Sequence, residues 1–183
     1  MSPAVPTEAR PSAGVLLLAG SPGDLDVALE AEETLNELRI SSRLRVVSAH
    51  RTPDAAVECA RSAEADGFGV IIAFAGLAAH LAGVTAAHSL LPVIGVPCSV
   101  GPLQGVDAVL ATLQMPSGTP VATVAIDGAK NAALLAARIL ALHDPDLRKR
   151  LDSLRERDRE RYRPDRVEAE LKKRRKDREG RGP

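Results

Sequence analysis

Three apolar runs of strand length constrain this chain more than any other feature: GVLLLA at 14–19, GVIIAF at 69–74 and PVIGV at 92–96. They are apolar at nearly every position rather than at alternate ones. That suits strands covered on both faces, the condition of a parallel sheet. Arg43–Ser48 reads as a further strand and Pro120–Ile126 as the last of five. Helical stretches separate them. Asp24–Arg39 sets Leu25, Ala28, Leu29, Glu32, Leu35 and Leu38 near one face. A second helix opens at Thr52-Pro53, with Thr52 as expected cap and Pro53 in the first turn, and runs to about Asp66. Others are expected over Ala78–Leu90, near Gly105–Leu113 and over Gly128–His143. Repeated β-α units of about 25 residues imply right-handed crossovers, with helices on both faces of the sheet. The expected fold is α/β: a three-layer αβα unit with a central parallel sheet, flavodoxin-like, followed by a charged helical extension.

Charge places the boundary of that extension. Residues 1–143 carry 8 Lys+Arg against 13 Asp+Glu, a balance of −5, and residues 144–183 carry 16 against 11, a balance of +5. The net charge of zero therefore describes neither part. The expected organisation is a flexible N-terminus at 1–12, an α/β catalytic domain at 13–143 and a charged helical tail at 144–183. Leu147, Leu151 and Leu154 form a short apolar stripe in the tail, expected to pack on a neighbouring subunit. The pattern breaks at Arg161–Pro164, and Val167 with Leu171 makes a weaker second stripe. The run KKRRK at 172–176 admits a nucleic-acid contact or a solvated charged face. The second reading is preferred, because the chain's aromatic rings are Phe68, Phe74 and Tyr162 alone and no stacking platform accompanies the run. Met1–Pro11 lacks the basic-then-apolar order of a signal peptide, and the apolar region 67–100 is interrupted by Gly, Pro, His80 and His88, so no membrane span and a cytoplasmic location are expected.

In a parallel sheet of this kind ligands bind beyond the carboxyl ends of the strands. That rule selects residues 20–24, 48–53, 74–83 and 97–105. Gly20-Ser21-Pro22-Gly23-Asp24 lacks both the Walker and the Rossmann glycine spacing. It reads first as an ordinary βα turn with Asp24 as cap, and second as an anion-holding turn whose Asp24 accepts from ribose hydroxyls. Ser48-Ala49-His50-Arg51-Thr52-Pro53 puts an imidazole and a guanidinium at a strand end. Histidine suits proton transfer near neutral pH, and the planar fork of arginine suits a phosphate. A solvated surface turn is the alternative. The small-residue segment 73–83 contains His80 and Gly76, and reads as tight packing or as close backbone approach to a ligand. His88 follows His80 by two helical turns, but no carboxylate or thiol completes a metal set, so no metal is expected. Cys59 and Cys98 form neither a disulfide framework nor a zinc pattern, and Cys98 reads as a thiol without a catalytic role.

Taken together the segments resemble the PurE family, the N5-carboxyaminoimidazole ribonucleotide mutases of purine biosynthesis. The matching text is GS..D at 20–24, VVSAHRTP at 46–53, AG.AAHLAG at 75–83, LPVIGVP at 91–97, L.GVDA at 103–108, QMP.G.PVAT.AI at 114–126 and NAALLAA.IL at 131–140. The resemblance covers about residues 13–150 and implies a homo-octamer acting on a small ribonucleotide, with no metal and no organic cofactor. It further implies that Ser21 and Arg51 hold the phosphate and Asp24 the ribose, with Ser48 and Gly76 beside them. His50 would be the general acid and base, and His80 would orient the carboxylate or carbon dioxide. The family's loop reads roughly AGAGGAAHLPG. Here Phe74 and Leu77 replace glycines and Ala82 replaces the proline, while Gly23 stands where the turn carries a second serine. Phe74 and Leu77 are expected to add bulk in the covering loop and Gly23 to remove a hydroxyl, so these three are candidates for altered specificity. Besides the mutase itself, two other readings remain: a paralogue that carboxylates or decarboxylates another azole nucleotide, and a catalytically silent binding protein.

Overall fold

The computed structural model describes residues 13–179. The N-terminus expected to be flexible, residues 1–12, lies outside the described residues. Five parallel strands, β1 (Gly14–Ala19), β2 (Ser42–Val46), β3 (Phe68–Gly76), β4 (Val93–Cys98) and β5 (Ala122–Thr123), lie in the order β2-β1-β3-β4-β5. This is the flavodoxin-like arrangement, and it reverses direction between β1 and β3. The helices are α1 (Leu25–Glu37), α2 (Pro53–Ser62), α3 (Leu81–His88), α4 (Val106–Leu113), α5 (Ala129–Leu140), α6 (Pro145–Arg161) and α7 (Pro164–Glu179).

Alternation along the strands divides the interior into two cores. Val15, Leu17, Val70, Ile72, Phe74, Ile94 and Val96 face one way, toward α1 and α5. Leu16, Leu18, Ile71, Ala73 and Val93 face the other way, toward α2 and α3. Every residue of β1 is buried, as its unbroken apolar run requires. The helices approach closely because they present alanine. Ala129, Ala132, Ala133, Ala136 and Ala137 of α5 are all fully buried. Gly95 plays the same part on β4, since a Cβ there would lie 2.3 Å from Thr112 Cγ2 of α4.

Several expectations are corrected. Leu29 is 44% exposed, so the buried stripe of α1 keeps Ala28 and Leu35 of the expected face and takes Ala31 in place of Leu29. The second helix ends at Ser62 and the third spans Leu81–His88. The fifth strand shrinks to two residues, because only Ala122 and Thr123 reach pairing distance of Ile94 and Gly95. Strand β3 continues two residues past Phe74, paired Ala75 to Pro97 and Gly76 to Cys98. Phe74 is thus a strand residue, not a loop residue. The Leu147-Leu151-Leu154 stripe packs against this chain's own core beside α5, with Leu147 only 2% exposed. An amphipathic stripe specifies that a face is covered, not by what. Asp144 caps α6 by accepting from the N–H groups of Asp146 and Leu147 at 3.0 and 2.8 Å. The break at Tyr162-Arg163 separates α6 from α7, as the sequence pattern indicates.

Candidate functional site

The carboxyl ends of β1 and β3 are held together where Gly20 N–H donates to Phe74 O at 2.9 Å. Beyond β1 the chain makes one 3₁₀ turn, Pro22–Asp24. Asp24 stands at the N-terminus of α1 but makes no side-chain cap bond. Its carboxylate is 3% exposed and accepts from Ser21 Oγ at 2.8 Å, so the simple capping role is set aside. That contact turns the Ser21 hydroxyl proton toward Asp24. Gly23 borders the cavity, and a Cβ there would meet only Ser21 Oγ at 3.5 Å.

Beyond β2 the turn 48–52 is built around Ser48. Its Oγ accepts from His50 N–H at 3.3 Å, Arg51 N–H at 3.1 Å and Arg51 Nε at 3.3 Å. Arg51 Nη2 donates to Gly20 O at 3.0 Å, tying this turn to the end of β1. Thr52 occupies the expected N-cap position of α2, but its side chain makes no cap bond. Its Oγ1 accepts from Ser48 N–H at 2.9 Å and donates to Ser48 O at 3.3 Å, closing the turn that carries His50. The guanidinium has five N–H donors, and two are engaged here, leaving three for an anion.

His80 sits just before α3. His50 Nε2 and His80 Nδ1 are 2.8 Å apart, with ring centroids 4.9 Å apart and planes at 77°. One proton lies between the two nitrogens, leaving His50 Nδ1 and His80 Nε2 for other partners. The two rings come from residues thirty positions apart. They meet at a cavity of about 400 Å³ also lined by Ser21, Asp24, Ser48, Arg51 and Gly76. The cavity therefore gathers every residue of the expected site except Phe74. Phe74 is fully buried among Val70, Ile72 and Val96 on the α1 and α5 side. Its ring adds no bulk to the pocket. Leu77 does line it, as do Val100 and Ala78, which sequence reasoning missed because isolated small or apolar residues carry no chemical signature. Two larger grooves, about 810 Å³ between α5 and α6 and about 800 Å³ between α6 and α7, gather no histidine.

Over residues 14–161 the chain matches the AIR carboxylase family. The chain belongs to that family. Relatives in the AIR carboxylase family include the N5-carboxyaminoimidazole ribonucleotide mutase of Pyrococcus abyssi, 50% identical over 146 residues, which spans 80% of this chain and 83% of that protein. The mutase of Mycobacterium tuberculosis H37Rv is 50% identical over 152 residues, spanning 83% and 86%. Among solved structures, Treponema denticola PurE shares 32% identity at a TM-score of 0.71, covering 80% of this chain and 92% of that one. The AIR carboxylase match ends at the close of α6, so α7 lies beyond it.

Cys98, at the end of β4, is buried, and that burial together with the Asp24 and Asp127 carboxylates pushes its thiol well above the usual range. Both influences favour the neutral thiol over the thiolate, the nucleophilic form. Among the described residues no group of three or more His, Cys, Asp or Glu is placed to hold a metal ion. No helix among them is long and apolar enough to cross a membrane. In the basic run of α7, Lys172 pairs with Glu168 at 2.9 Å and Arg174 with Glu170 at 2.7 Å, both at the i,i+4 spacing of helical ion pairs.

Proposed function

We propose that this chain is an N5-carboxyaminoimidazole ribonucleotide mutase, moving the carboxyl group from N5 to C4 to give 4-carboxy-5-aminoimidazole ribonucleotide in purine biosynthesis. The observation that carries the reading is the 2.8 Å contact of His50 and His80 at the Ser21, Asp24 and Arg51 cavity. Identity of about half to curated mutases, over four-fifths of this chain, supports it.

The chemistry needs one proton moved twice. Protonated His50 donates to the carbamate nitrogen. The N–C bond breaks, its electron pair stays on nitrogen, and carbon dioxide is released. The electron-rich C4 then attacks the carbon of that molecule, forming the C–C bond. Neutral His50 removes the proton from C4, which restores the aromatic ring and returns His50 to its starting state. His80, bonded to the same imidazole, orients it and faces the migrating carboxyl group. Arg51 holds the phosphate through its free donors, and Asp24 accepts from the ribose. Ser21 adds a phosphate contact once its hydroxyl turns from Asp24.

A homo-octamer in the cytoplasm is part of the proposal. Leu103, Val106, Leu110 and Leu113, on α4 and just before it, are each more than half exposed in a single chain, an apolar surface suited to subunit contact. The test is conversion of N5-carboxyaminoimidazole ribonucleotide by purified protein with an eight-chain mass. Absence of turnover in folded protein would overturn the reading.

Arg51→Ala should raise KM by about ten- to hundredfold, the loss of a charge-assisted contact worth about 1.5–3 kcal/mol. The change in kcat should be smaller, because phosphate binding is common to substrate and transition state. Arg51→Lys should recover only part of it, since an ammonium cannot reach both Ser48 Oγ and Gly20 O while presenting a fork to phosphate. Steady-state kinetics on the two variants provides the check, and an unchanged KM in Arg51→Ala would exclude the phosphate role.

A further inference from the structure

Leu77 is the one leucine among the described residues with left-handed backbone, at φ 55°. That conformation costs a non-glycine residue about 1–2 kcal/mol. The strain is held by the side chain's seat. A Cβ on Gly101 would fall 2.6 Å from Leu77 Cδ2, and Gly101 itself has φ 76°. One residue earlier, a Cβ on Gly76 would fall 2.9 Å from Val100 Cβ and Cγ2. The loops leaving β3 and β4 are thus joined by two adjacent pairs, 76 with 100 and 77 with 101, each a glycine facing an apolar side chain. The second loop is anchored from behind. Ser99 N–H donates to Asp127 Oδ1 at 2.8 Å, and Asp127 N–H donates to Pro97 O at 2.9 Å. Leu77 and Val100 border the cavity that contains both imidazoles, yet remain 47% and 39% exposed.

We propose that Leu77, seated on Gly101 beside Val100, is an apolar clasp across the cavity mouth that retains carbon dioxide between its release and its capture. The inference rests on the mutase reading. Carbon dioxide is small and uncharged, so phosphate and ribose contacts do nothing to hold it. Between the two bond changes it is kept only by the walls around it and by exclusion of water. An apolar side chain bridging two loops supplies such a wall where polar groups would admit water. Escape leaves the decarboxylated aminoimidazole ribonucleotide, whose nitrogen has already taken the proton from His50, and free carbon dioxide. Capture gives the C4 carboxylate. Leu77 therefore acts on the partition between these products.

The experiment supplies the substrate with a carbon-13 carboxyl group in unlabelled bicarbonate buffer, and corrects for spontaneous decarboxylation without protein. Wild-type protein should carry the label into the C4 carboxylate. Leu77→Gly and Leu77→Ala should both raise the escaped fraction, on the order of tenfold, equivalent to about 1.4 kcal/mol in the competition between capture and escape. Leu77→Gly relieves the backbone strain while Leu77→Ala keeps most of it, so a loss of label in both variants tracks the side chain. Leakage from the glycine variant alone would assign the effect to backbone freedom and overturn the clasp. Turnover with label retained as in wild type by both variants would overturn it as well. Absence of turnover in the wild-type protein would overturn the mutase reading and the clasp with it.

Discussion

His50→Asn should reduce kcat by at least three orders of magnitude while leaving ribonucleotide binding nearly intact. General acid-base catalysis by one side chain contributes about 10²–10⁴-fold to a step. In the proposed mechanism one imidazole serves two successive steps, so the upper part of that range applies. Asparagine is polar and close in size, but it can neither donate a proton as a cation nor take one as a base. The turn that presents it should survive, because its support is backbone and hydroxyl. Residue 50 contributes its main-chain N–H to Ser48 Oγ, and Thr52 closes the turn on Ser48. In the proposed mechanism binding is supplied by Arg51 and Asp24, which do not depend on the ring. The measurement is kcat from steady-state turnover, with Kd from calorimetry. Wild-type-like turnover would remove His50 from the mechanism. His80→Asn should cost less alone, and the double variant little more than His50→Asn, because two bonded rings acting as a unit give strongly non-additive losses.

Phe74→Ala should lower stability by about 3–5 kcal/mol, the cost of deleting a buried ring and leaving a cavity. At about 2–4 °C per kcal/mol for a chain of this size, the melting temperature should fall by roughly 6–20 °C. Phe74 is fully buried, packed with Val70, Ile72 and Val96, on a strand whose main chain holds Gly20. From sequence alone a return to glycine at 74 would be expected to relieve bulk in the pocket and raise activity. The structure reverses that expectation. A glycine there would empty the core and add about 0.5–1 kcal/mol of backbone entropy cost in the strand interior. Thermal melts of the wild type and Phe74→Ala settle the point, and an unchanged melting temperature would contradict the packing described.

The error over Phe74 shows what the sequence could and could not carry. Strand identity was legible, because an unbroken apolar run such as GVIIAF has no other good use in a repeated β-α chain. Where the strand stops was not. Ala75 and Gly76 look like a loop in isolation, yet they stay paired because Pro97 and Cys98 lie opposite. Pairing at a strand end is a property of the neighbour. Thr52 does stand at the N-cap of α2, but what its side chain bonds depends on a neighbour in the same way. A threonine before Pro53 has the form of a helix cap, but its hydroxyl finds Ser48 first. The candidate polar residues do line one cavity. His50, Arg51, Asp24 and His80 stand in polar or small-residue segments at strand ends, where the topology of a parallel sheet already directs attention. Their mutual contacts, above all the imidazole pair, depended on the order β2-β1-β3 and could not be read from spacing.

That same strand order determines how the site would fail under stress. Gly76 ends the central β3 and His80 follows it, whereas His50 and Arg51 hang from β2, a five-residue edge strand with Val46 46% exposed. Edge elements with few buried contacts open at lower free energy than the core they adjoin. In a heated or mildly denatured sample, His50 should detach by local opening while the sheet behind it is still folded. Amide exchange should be faster at residues 47–52 than at 70–74, and equal protection of the two segments would exclude such opening. Inactivation and unfolding of this molecule would then be two events, and a melting curve alone would overstate the range in which it works.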